Sequence, residues 1–409
     1  MKIILIIIML FFWILLLYYS ALTVAGIVQR MKKKRIIRLD TYPSVAVLIP
    51  AHNEGVVIQQ TLEAMMKLEY PGELYVYVLD DASSDETAEI IQSFSSMFSR
   101  IQYVRVPPGS PKGKSRVLNY GLSITSSDYF LVYDADNQPE KDAAIRLVEA
   151  AETTKGAVGA VGYVKTINET TNVLTRMIAL EFQVFQLLMQ VGRWAFFKTG
   201  SLAGTNMLLK RSAIEELGGY DPYALAEDAE LTMRITAAGK RLPVVPESRT
   251  WEQEPEKMKI YMRQRTRWLT GNLYLLEKAF HERSYWKGRT LVHSLQHVFT
   301  YFLFVLLLLA SDIWFAVGLS GLDLFSSNSP LLLLWFMSYL VYTAQIMSAM
   351  VIDRTATPAN LLVGVIMYFT YAQLFIVLLF KSAWSYCWNR LRKRTIQWDK
   401  TQRFKGKQQ

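Results

Sequence analysis

The feature that most constrains this chain is an apolar run over residues 3–28 that ends at a cluster of bases. Such a run is long enough to cross the roughly 30 Å hydrocarbon core of a bilayer as one helix. It also exceeds the apolar region of a cleaved signal peptide, which is the alternative interpretation. Bases on its carboxyl side place the amino terminus outside and the following residues in the cytoplasm. We therefore predict a transmembrane anchor over residues 1–29.

The net charge of +10 is confined to two stretches of the chain. Residues 30–38 carry six bases, and residues 381–409 carry nine bases against one acid, so the rest of the chain is slightly acidic. A nucleic-acid surface would need bases spread over a folded domain, and we predict no nucleic acid partner. The single cysteine, Cys387, excludes a disulfide framework and a cysteine-rich metal site.

Three further apolar stretches occupy residues 298–320, 331–352 and 361–383. They predict transmembrane helices over residues 293–385, followed by a basic cytoplasmic tail over residues 386–409. Three crossings after a cytoplasmic domain would leave the tail outside, whereas its bases should keep it inside. Either one stretch is interfacial, re-entrant or otherwise non-crossing, or the tail breaks the rule.

Residues 257–290 mix apolar and aromatic side chains with many Arg and Lys at spacings of three and four. This pattern is typical of a helix that lies on a membrane surface. We predict interfacial amphipathic helices over residues 251–292. A buried helix of the soluble domain is the alternative.

Between residues 44 and 250, short β-rich runs alternate with helical periodicity. This alternation is typical of βαβ units and predicts a cytoplasmic α/β domain with a mainly parallel sheet and helices on both faces. The predicted strands are 45–50, 74–79, 101–105 and 129–133, and the predicted helices are 55–68, 85–98, 114–123 and 139–154.

Four polar clusters, at residues 50–54, 80–85, 109–114 and 134–136, each follow a predicted strand. In open α/β sheets, ligands bind at the carboxyl ends of the strands, so the clusters should share one crevice. Taken singly, each cluster could be a helix cap or a solvated loop. Together they indicate a binding site.

The chemistry of these clusters fits a nucleotide-diphosphate donor. Asp134 and Asp136 can both reach a hard divalent cation, which often bridges a carboxylate to a diphosphate. Such a cation neutralises charge on a departing phosphate, and Lys112 or Lys114 can add to that neutralisation. The pair at Asp80-Asp81 offers acceptor oxygens to a base or a ribose.

These motifs resemble those of an inverting, membrane-embedded glycosyltransferase of family 2. The likeness is to the processive synthases of cellulose, hyaluronan, chitin and poly-N-acetylglucosamine, and it runs from about residue 44 to residue 268. It implies a GT-A-type fold and a UDP-sugar donor. The donor site that it implies comprises a nucleotide pocket at Glu54, Asp80 and Asp81, further contacts from Lys114, Asp134 and Arg267, and Mg²⁺ or Mn²⁺ at Asp136.

The resemblance also implies an acceptor site and a general base. Asp228 matches the base, which takes the proton of an acceptor hydroxyl as that hydroxyl attacks the anomeric carbon and inverts it. A structural Asp that caps a helix is the alternative. Many synthases have Thr where Ala226 stands, so the product stays open. The implied acceptor-binding residues are Gly204, Thr205, Asn206, Glu227, Gln264 and Trp268.

Residues 264–268 match the family pattern Gln-x-x-Arg-Trp. Helical spacing brings Gln264, Arg267 and Trp268 to neighbouring positions within about one turn. Trp268 could then stack on an acceptor sugar and Arg267 could pair with the diphosphate. A surface helix with Trp in the bilayer interface is the alternative. In the tail, the stretch containing Trp398, Thr401 and Arg403 resembles one that closes over the nucleotide in related synthases.

The leading hypothesis is a multi-pass cell-membrane enzyme that polymerises a hexose or N-acetylhexosamine, with UDP-GlcNAc or UDP-Glc favoured, and exports the β-linked polysaccharide through its own helices. Its predicted partners are the UDP-sugar, the growing polysaccharide, the lipid bilayer and, as a candidate, a small accessory membrane subunit. A non-processive transferase of sugar to a membrane lipid is the second hypothesis. A catalytically silent scaffold or sugar-nucleotide sensor is the third.

Overall fold

The structure is a computed structural model that describes residues 2–32, 37–299, 320 and 329–392. The strands of its sheet are β1 (Val45–Ala51), β2 (Leu74–Asp80), β3 (Ile101–Arg105), β4 (Tyr129–Val132), β5 (Gln138–Pro139), β6 (Gly159–Thr166), β7 (Met207–Lys210) and β8 (Val244–Glu252). The helices within and before this region are α1 (Lys2–Met31), α2 (Ile58–Met66), α3 (Thr87–Met97), α4 (Lys114–Ile124), α5 (Ala143–Thr153), α6 (Val173–Gln183), α7 (Val191–Phe197), α8 (Arg211–Glu216) and α9 (Glu227–Ala237). The later helices are α10 (Met258–His281), α11 (Thr290–Val298), α12 (Ser329–Asp353), α13 (Pro358–Ile366) and α14 (Tyr371–Leu391).

The sheet is mainly parallel, as predicted. Its strand order is β3-β2-β1-β4-β7-β6-β8-β5. Parallel pairing joins β3, β2, β1 and β4, and it also joins β6 to β8. The strands β7 and β5 run against their neighbours. The carboxyl ends of β1, β2 and β4 therefore meet at one edge, which is where the polar clusters were expected.

Both faces of the sheet are covered by helices. Val45, Val47 and Ile49 of β1 belong to a core built with α2, α3 and α5. The alternate residues Ala46 and Leu48 belong to a second core built with α4, α8 and α9. A strand that is buried on both faces reads as a continuous apolar run, which is why β1 was recognisable in the sequence.

The four predicted strands are confirmed to within one residue at either end. The four predicted helices are also confirmed, although α2, α3 and α5 are shorter than their predicted ranges. The strands β5, β6, β7 and β8 had not been located from the sequence, and Pro139 of β5 had been assigned to the start of a predicted helix.

The helix α1 rests on a helical segment of the α/β domain, residues 173–197, whose middle portion Val184–Gln190 is π-helical. The two cross at glycines. A β-carbon on Gly26 would lie 2.5 Å from the carbonyl oxygen of Leu188, and one on Gly192 would lie 2.2 Å from that of Leu22. Gln186 ties this segment to the sheet, because its amide accepts from the Val164 nitrogen at 2.9 Å and donates to the Val164 oxygen at 3.0 Å.

The helix α10 covers most of the range that was predicted to be interfacial. Its Gly271 lies against the residue before α9, since a β-carbon there would be 2.7 Å from Cβ of Ala226. Lys278 of α10 pairs with Asp221 and Glu230 of the α/β domain at 2.9 and 2.6 Å. The face of α10 toward the domain is therefore buried in protein.

Two helices of the described part are long and apolar enough to cross a membrane, over Met9–Met31 and Leu333–Asp353. The pair α13 and α14 would make a third span if it counted as one, but the two are bent by 50°. Most of the apolar stretch 298–320, and the tail residues Trp398, Thr401 and Arg403, lie outside the described residues.

Candidate active site

The loops after β1 and β2 form one wall of the crevice and are bonded to each other. Asn53 and Ala82 both have a positive φ, of 53° and 57°. The Asn53 nitrogen donates to Ser83 Oγ at 3.0 Å, and Asn53 Oδ1 accepts from the Ser84 nitrogen at 2.7 Å. Glu54 follows at the turn into α2, where its nitrogen donates to Thr87 Oγ1 at 2.7 Å. These bonds hold the two loops to each other.

Asp80 and Asp81 have different surroundings. Asp80 is only 3% exposed and accepts from the Ser83 nitrogen and from the Tyr103 hydroxyl, both at 3.0 Å. Burial and this hydrogen bond raise the pKa of Tyr103. Asp81 is partly exposed and pairs with the guanidinium of Arg116. Asp80 therefore holds the loop in place, whereas Asp81 lies at the open surface of the crevice.

Lys114 lies at the centre of the site. Its Nζ contacts Asp134 Oδ1 at 2.5 Å, the Gly204 oxygen at 2.7 Å and Glu227 Oε1 at 3.6 Å. Burial lowers the pKa of Lys114, but the charges of Asp134 and Glu227 outweigh it and hold that pKa above its ordinary value. Lys114 therefore stays a cation, and it joins the strand end of β4 to the start of α9.

Gly204 lets the turn before β7 approach Lys114. Its φ is +78°, and a β-carbon there would lie 3.6 Å from Asp228 Oδ2 and 3.8 Å from Lys114 Nζ. A larger residue would be strained and would occupy the space between these two charged groups. The small residue predicted from the sequence is therefore required by this geometry.

Asp228 lies in the first turn of α9 and is partly buried. Burial and the negative charge of Glu227 raise the pKa of Asp228 to about 7. Its Oδ1 also accepts from the Ala229 nitrogen at 2.8 Å, but the residue at the N-cap position of α9 is Ala226, so this bond is not the helix cap of the alternative interpretation. A carboxyl group that gains and loses a proton near neutral pH suits general base chemistry.

Asp134 and Asp136 occupy the strand end as predicted, with unequal exposure. The Asp134 nitrogen donates to Thr205 Oγ1 at 3.1 Å, while Asp136 is 3% exposed and accepts from the Gln253 nitrogen at 3.2 Å. Within the described ranges, no three His, Cys, Asp or Glu side chains are grouped to hold a metal by themselves. Carboxylate oxygens from these two residues fit a divalent cation that takes its remaining ligands from a diphosphate and water.

Thr205 and Asn206 are not at the surface of the crevice. Asn206 is fully buried; its Oδ1 accepts from Tyr133 at 3.1 Å, and its Nδ2 donates to the Ser248 oxygen at 2.9 Å. Thr205 donates to Asn137 Oδ1 at 2.7 Å. These side chains hold the Gly204 turn against β4 and β8, and acceptor binding by residues 204–206 stays a prediction.

The Gln-x-x-Arg-Trp residues lie on α10 beside this site. Gln264 is 8% exposed, and its buried Oε1 has no hydrogen-bond partner among the residues that the structure describes. Trp268 is partly exposed and stacks on Phe182 with ring centroids 6.4 Å apart. Arg267 is also partly buried. Since Gly271 touches Ala226, this turn of α10 adjoins the residues that carry Asp228.

Several residues of the site were not identified from the sequence. Arg265 lies inside the motif at a variable position, yet it makes two bonds to Glu181 at 3.1 and 2.6 Å and its guanidinium lies 4.5 Å from the Trp268 ring centroid. Arg116, Tyr103 and Asn137 bond to motif residues from neighbouring elements. Only Asn137, which directly follows Asp136, had a signal in the sequence.

This combination of fold and site defines a GT-A-like α/β protein with helices on both faces of a mixed sheet. A solved structure, the mannosyltransferase PcManGT from Pyrobaculum calidifontis in complex with GDP-Man and Mn²⁺, has a similar fold, with a TM-score of 0.59, 19% identity, and coverage of 89% of this chain and 98% of that chain. A model of glycosyltransferase-like family 2 matches residues 43–271, more than half of the chain.

The chain belongs to glycosyltransferase family 2. It is 41% identical over 367 residues to a probable glycosyltransferase, YdaM, from Bacillus subtilis, covering 88% of this chain and 87% of that protein. It is 31% identical over 195 residues to a β-monoglucosyldiacylglycerol synthase from Trichormus variabilis, covering 47% of this chain and 41% of that protein. It is 25% identical over 250 residues to a poly-β-1,6-N-acetyl-D-glucosamine synthase from Staphylococcus aureus, covering 61% of this chain and 60% of that protein.

Proposed function

We propose that this glycosyltransferase transfers a sugar with inversion from a UDP-sugar to a hydroxyl group of a growing polysaccharide. The observation that carries the proposal is the bridge made by Lys114, which joins Asp134 on the donor side to the Gly204 oxygen and Glu227 on the acceptor side. A reaction centre between them is flanked by a cation and by the carboxylate of Asp228.

In the proposed reaction, Asp228 accepts the proton of the acceptor hydroxyl. The hydroxyl oxygen forms a bond to the anomeric carbon while the bond from that carbon to the diphosphate oxygen breaks, so UDP leaves on the opposite face. Lys114 stabilises the charge that develops on the diphosphate. Asp136 and Asp134 would hold Mg²⁺ or Mn²⁺, which neutralises the same charge when bound.

For the donor, we propose that Glu54, Asp81 and Arg267 contact UDP, and that Asp80 positions the loop that carries Asp81. Asp80 is assigned this role because its carboxylate oxygens already accept bonds from Ser83 and Tyr103. For the acceptor, we propose that the buried Oε1 of Gln264 accepts a sugar hydroxyl, and that Trp268 presents its ring to the sugar.

We further propose a cell-membrane location with the catalytic domain in the cytoplasm. The two helices of spanning length and the bases after α1 support it. Export of the polymer through these helices, a small accessory subunit and closure of the site by Trp398, Thr401 and Arg403 remain part of the proposal.

A second candidate is transfer of one sugar to a membrane lipid. It is favoured by the 31% identity to a glycolipid synthase over 195 residues, against 25% to the polysaccharide synthase over 250 residues. Gln264, Arg267 and Trp268 favour the polymerase, because the family resemblance links that pattern to polymerisation.

The test is UDP release by the purified protein in nanodiscs, with each UDP-sugar and Mg²⁺ or Mn²⁺, followed by sizing of the radiolabelled product. We expect release with one donor, loss of release in EDTA, recovery on adding the cation, and a product of many sugars. A short, lipid-soluble product would support the second candidate instead. D228N should bind UDP without transfer. Unchanged complementation of polymer production by D228N in cells that lack the parent protein would support a silent scaffold.

A further inference from the structure

The helices α1 and α12 end on the same side of the α/β domain. Arg30, at the end of α1, pairs with Glu247 of β8. Asp353, at the end of α12, pairs with Lys165 of β6 at 3.0 Å and accepts from the Tyr163 hydroxyl at 2.9 Å. If both helices cross the membrane, they cross in the same direction, because their carboxyl ends are held by adjacent strands of one sheet.

The helix α14 runs beside α10 along its whole length. Near its start, the rings of Tyr371 and Tyr261 have centroids 5.6 Å apart. In its middle, Ser382 Oγ lies 3.4 Å from the Thr266 oxygen. Near its end, Arg390 pairs with Glu277 at 2.5 Å. From residue 261 to residue 277, at 1.5 Å per residue, the two helices run in the same direction for about 24 Å.

The helix α10 is too highly charged to enter the hydrocarbon core. It carries Arg263, Arg265, Arg267, Glu277 and Lys278, and its other side is bonded to the α/β domain through Lys278. Charged residues within a span are costly and rare. A helix that accompanies α10 from end to end therefore stays at the depth of the α/β domain surface.

The face of α14 that is turned away from α10 is apolar and exposed. Its members recur at spacings of three and four, while Leu378, Leu379 and Ser382 on the opposite face are buried. Trp384 and Trp388 stack with centroids 6.0 Å apart. The exposed members are Val377, Phe380, Trp384, Trp388 and Leu391, with exposures of 55, 54, 73, 44 and 80%.

Bases border this apolar face. Lys381 is exposed, and the guanidinium of Arg392 lies 4.2 Å from the Trp388 ring centroid. Trp is favoured at the headgroup level of a bilayer, where Lys and Arg can reach anionic lipid while their stems stay apolar. An in-plane amphipathic helix has the same combination of an apolar face, tryptophans and flanking bases.

We infer that α14 does not cross the membrane: it lies in the plane of the lipid surface on the side of the catalytic domain, with the face from Val377 to Leu391 in the headgroup region. The inference rests on the membrane location proposed above. It requires one return crossing between α1 and α12, for which residues 298–320 have the length and composition. The basic tail then lies on the catalytic side, as its charge favours.

Labelling of single cysteines tests the side on which the tail lies. C387S removes the only cysteine of the chain, and S96C, S326C or Q408C then adds one in the α/β domain, between two apolar stretches or in the tail. A membrane-impermeant maleimide should label S326C in intact cells, and S96C and Q408C only after the membrane is opened. Labelling of Q408C in intact cells would overturn the inference.

Labelling at S96C and S326C distinguishes a failure of the proposed membrane location from a failure of the inference about α14. Labelling of S96C in intact cells would refute the cytoplasmic location of the catalytic domain. An S326C that labels only in opened cells would show that α12 does not cross, and the inference about α14 would fall with it. Each variant is used only if it retains the UDP release of the parent protein.

Depth measurements test the orientation of α14 itself. A fluorophore at V377C, W384C or L391C is quenched by lipids that carry nitroxides at known depths. An in-plane helix gives the same shallow depth at all three, whereas a crossing helix spreads them over about 21 Å. The exposed positions L333C, L340C and V351C of α12 are the matched control, with an expected spread of about 27 Å. Absence of quenching on α14 would mean that protein covers the face and would overturn the inference.

Discussion

At the scale of single residues, the proposed mechanism makes the two adjacent carboxylates at the start of α9 decide the pH at which the site can work. Because Asp228 has a pKa of about 7, raised by burial and by Glu227, only its deprotonated form above that pH can accept a proton. We expect kcat/KM for UDP release to be level above pH 7 and to fall about tenfold per unit below it. E227Q removes one cause of the raised pKa and should move this fall to lower pH. A fall at the same pH in E227Q would show that Glu227 does not influence the base.

Lys114 should affect both stability and the same pH profile. K114M leaves Asp134 and Glu227 without their cation, and the loss of stability should be below the roughly 3–5 kcal/mol seen for fully buried pairs, because Asp134 is 32% exposed. The positive charge also lowers the pKa of Asp228, so K114M should move the fall in residual activity to higher pH. Thermal unfolding in detergent checks the first effect. The double variant K114M/D134N should unfold at a higher temperature than K114M, and no such recovery would contradict the proposed pairing.

At the scale of elements, some segments could be predicted because local sequence and burial agree. The strand β1 is buried on both faces and reads as Val-Ala-Val-Leu-Ile, which no amphipathic helix would show. The strand β7 has only four residues and pairs antiparallel to both neighbours. It therefore does not belong to a βαβ unit, and the alternation of strands and helices in the sequence does not predict it. The π-helical middle of the segment 173–197 was not predicted from the sequence, and its Gln186 bonds to β6, a strand distant in the chain.

The residues of the site also divide into those that could be predicted from the sequence and those that could not. Asp134, Asp136 and Lys114 follow strands or begin a helix, so their meeting could be predicted from topology. The burial of Asn206 and the bond from Tyr103 to Asp80 depend on contacts between residues far apart in sequence. Motif resemblance singled out Asn206 but could not distinguish contact with a ligand from support of the Gly204 turn.

The packing of α10 on α9 should control the acceptor side of the site. G271A would add a methyl group 2.7 Å from Cβ of Ala226 and 2.9 Å from its nitrogen, so α10 must shift. We expect a loss of about 1–3 kcal/mol in stability and a fall in kcat larger than the change in the Kd of UDP. K259A, at an exposed position of the same helix, is the control, and it should leave stability, kcat and the Kd of UDP unchanged. If G271A changes kcat and the Kd of UDP by equal factors, α10 does not position the acceptor side.

At the scale of the whole molecule, the apolar helices are joined to the catalytic domain by a small number of buried polar contacts. Lys165 and Asp353 have side chains that are 12% and 3% exposed, and Lys165 Nζ also lies 4.8 Å from the Trp251 ring centroid. The loop after α12 is held further by the bond from Thr355 to Gln183 at 3.0 Å. The end of α12 is therefore bonded to β6 and, through Gln183, to the segment whose Phe182 stacks on Trp268.

Removing the positive charge of Lys165 should loosen the loop after α12 without altering the candidate active site directly. K165M leaves the buried carboxylate of Asp353 without its cation and with only the bond from Tyr163, which is costly, so the loop after α12 should open more often. Arg354 is exposed in that loop and is a cleavage site for trypsin. We expect limited trypsin to cut after Arg354 several-fold faster in K165M than in the parent protein. K141M, which loses only an exposed pair with Glu69, should be cut at the parent rate. Cleavage of a transiently opened loop follows the population of its open form. Equal cleavage rates in K165M and K141M would therefore show that the ion pair between Lys165 and Asp353 does not hold α12 to β6.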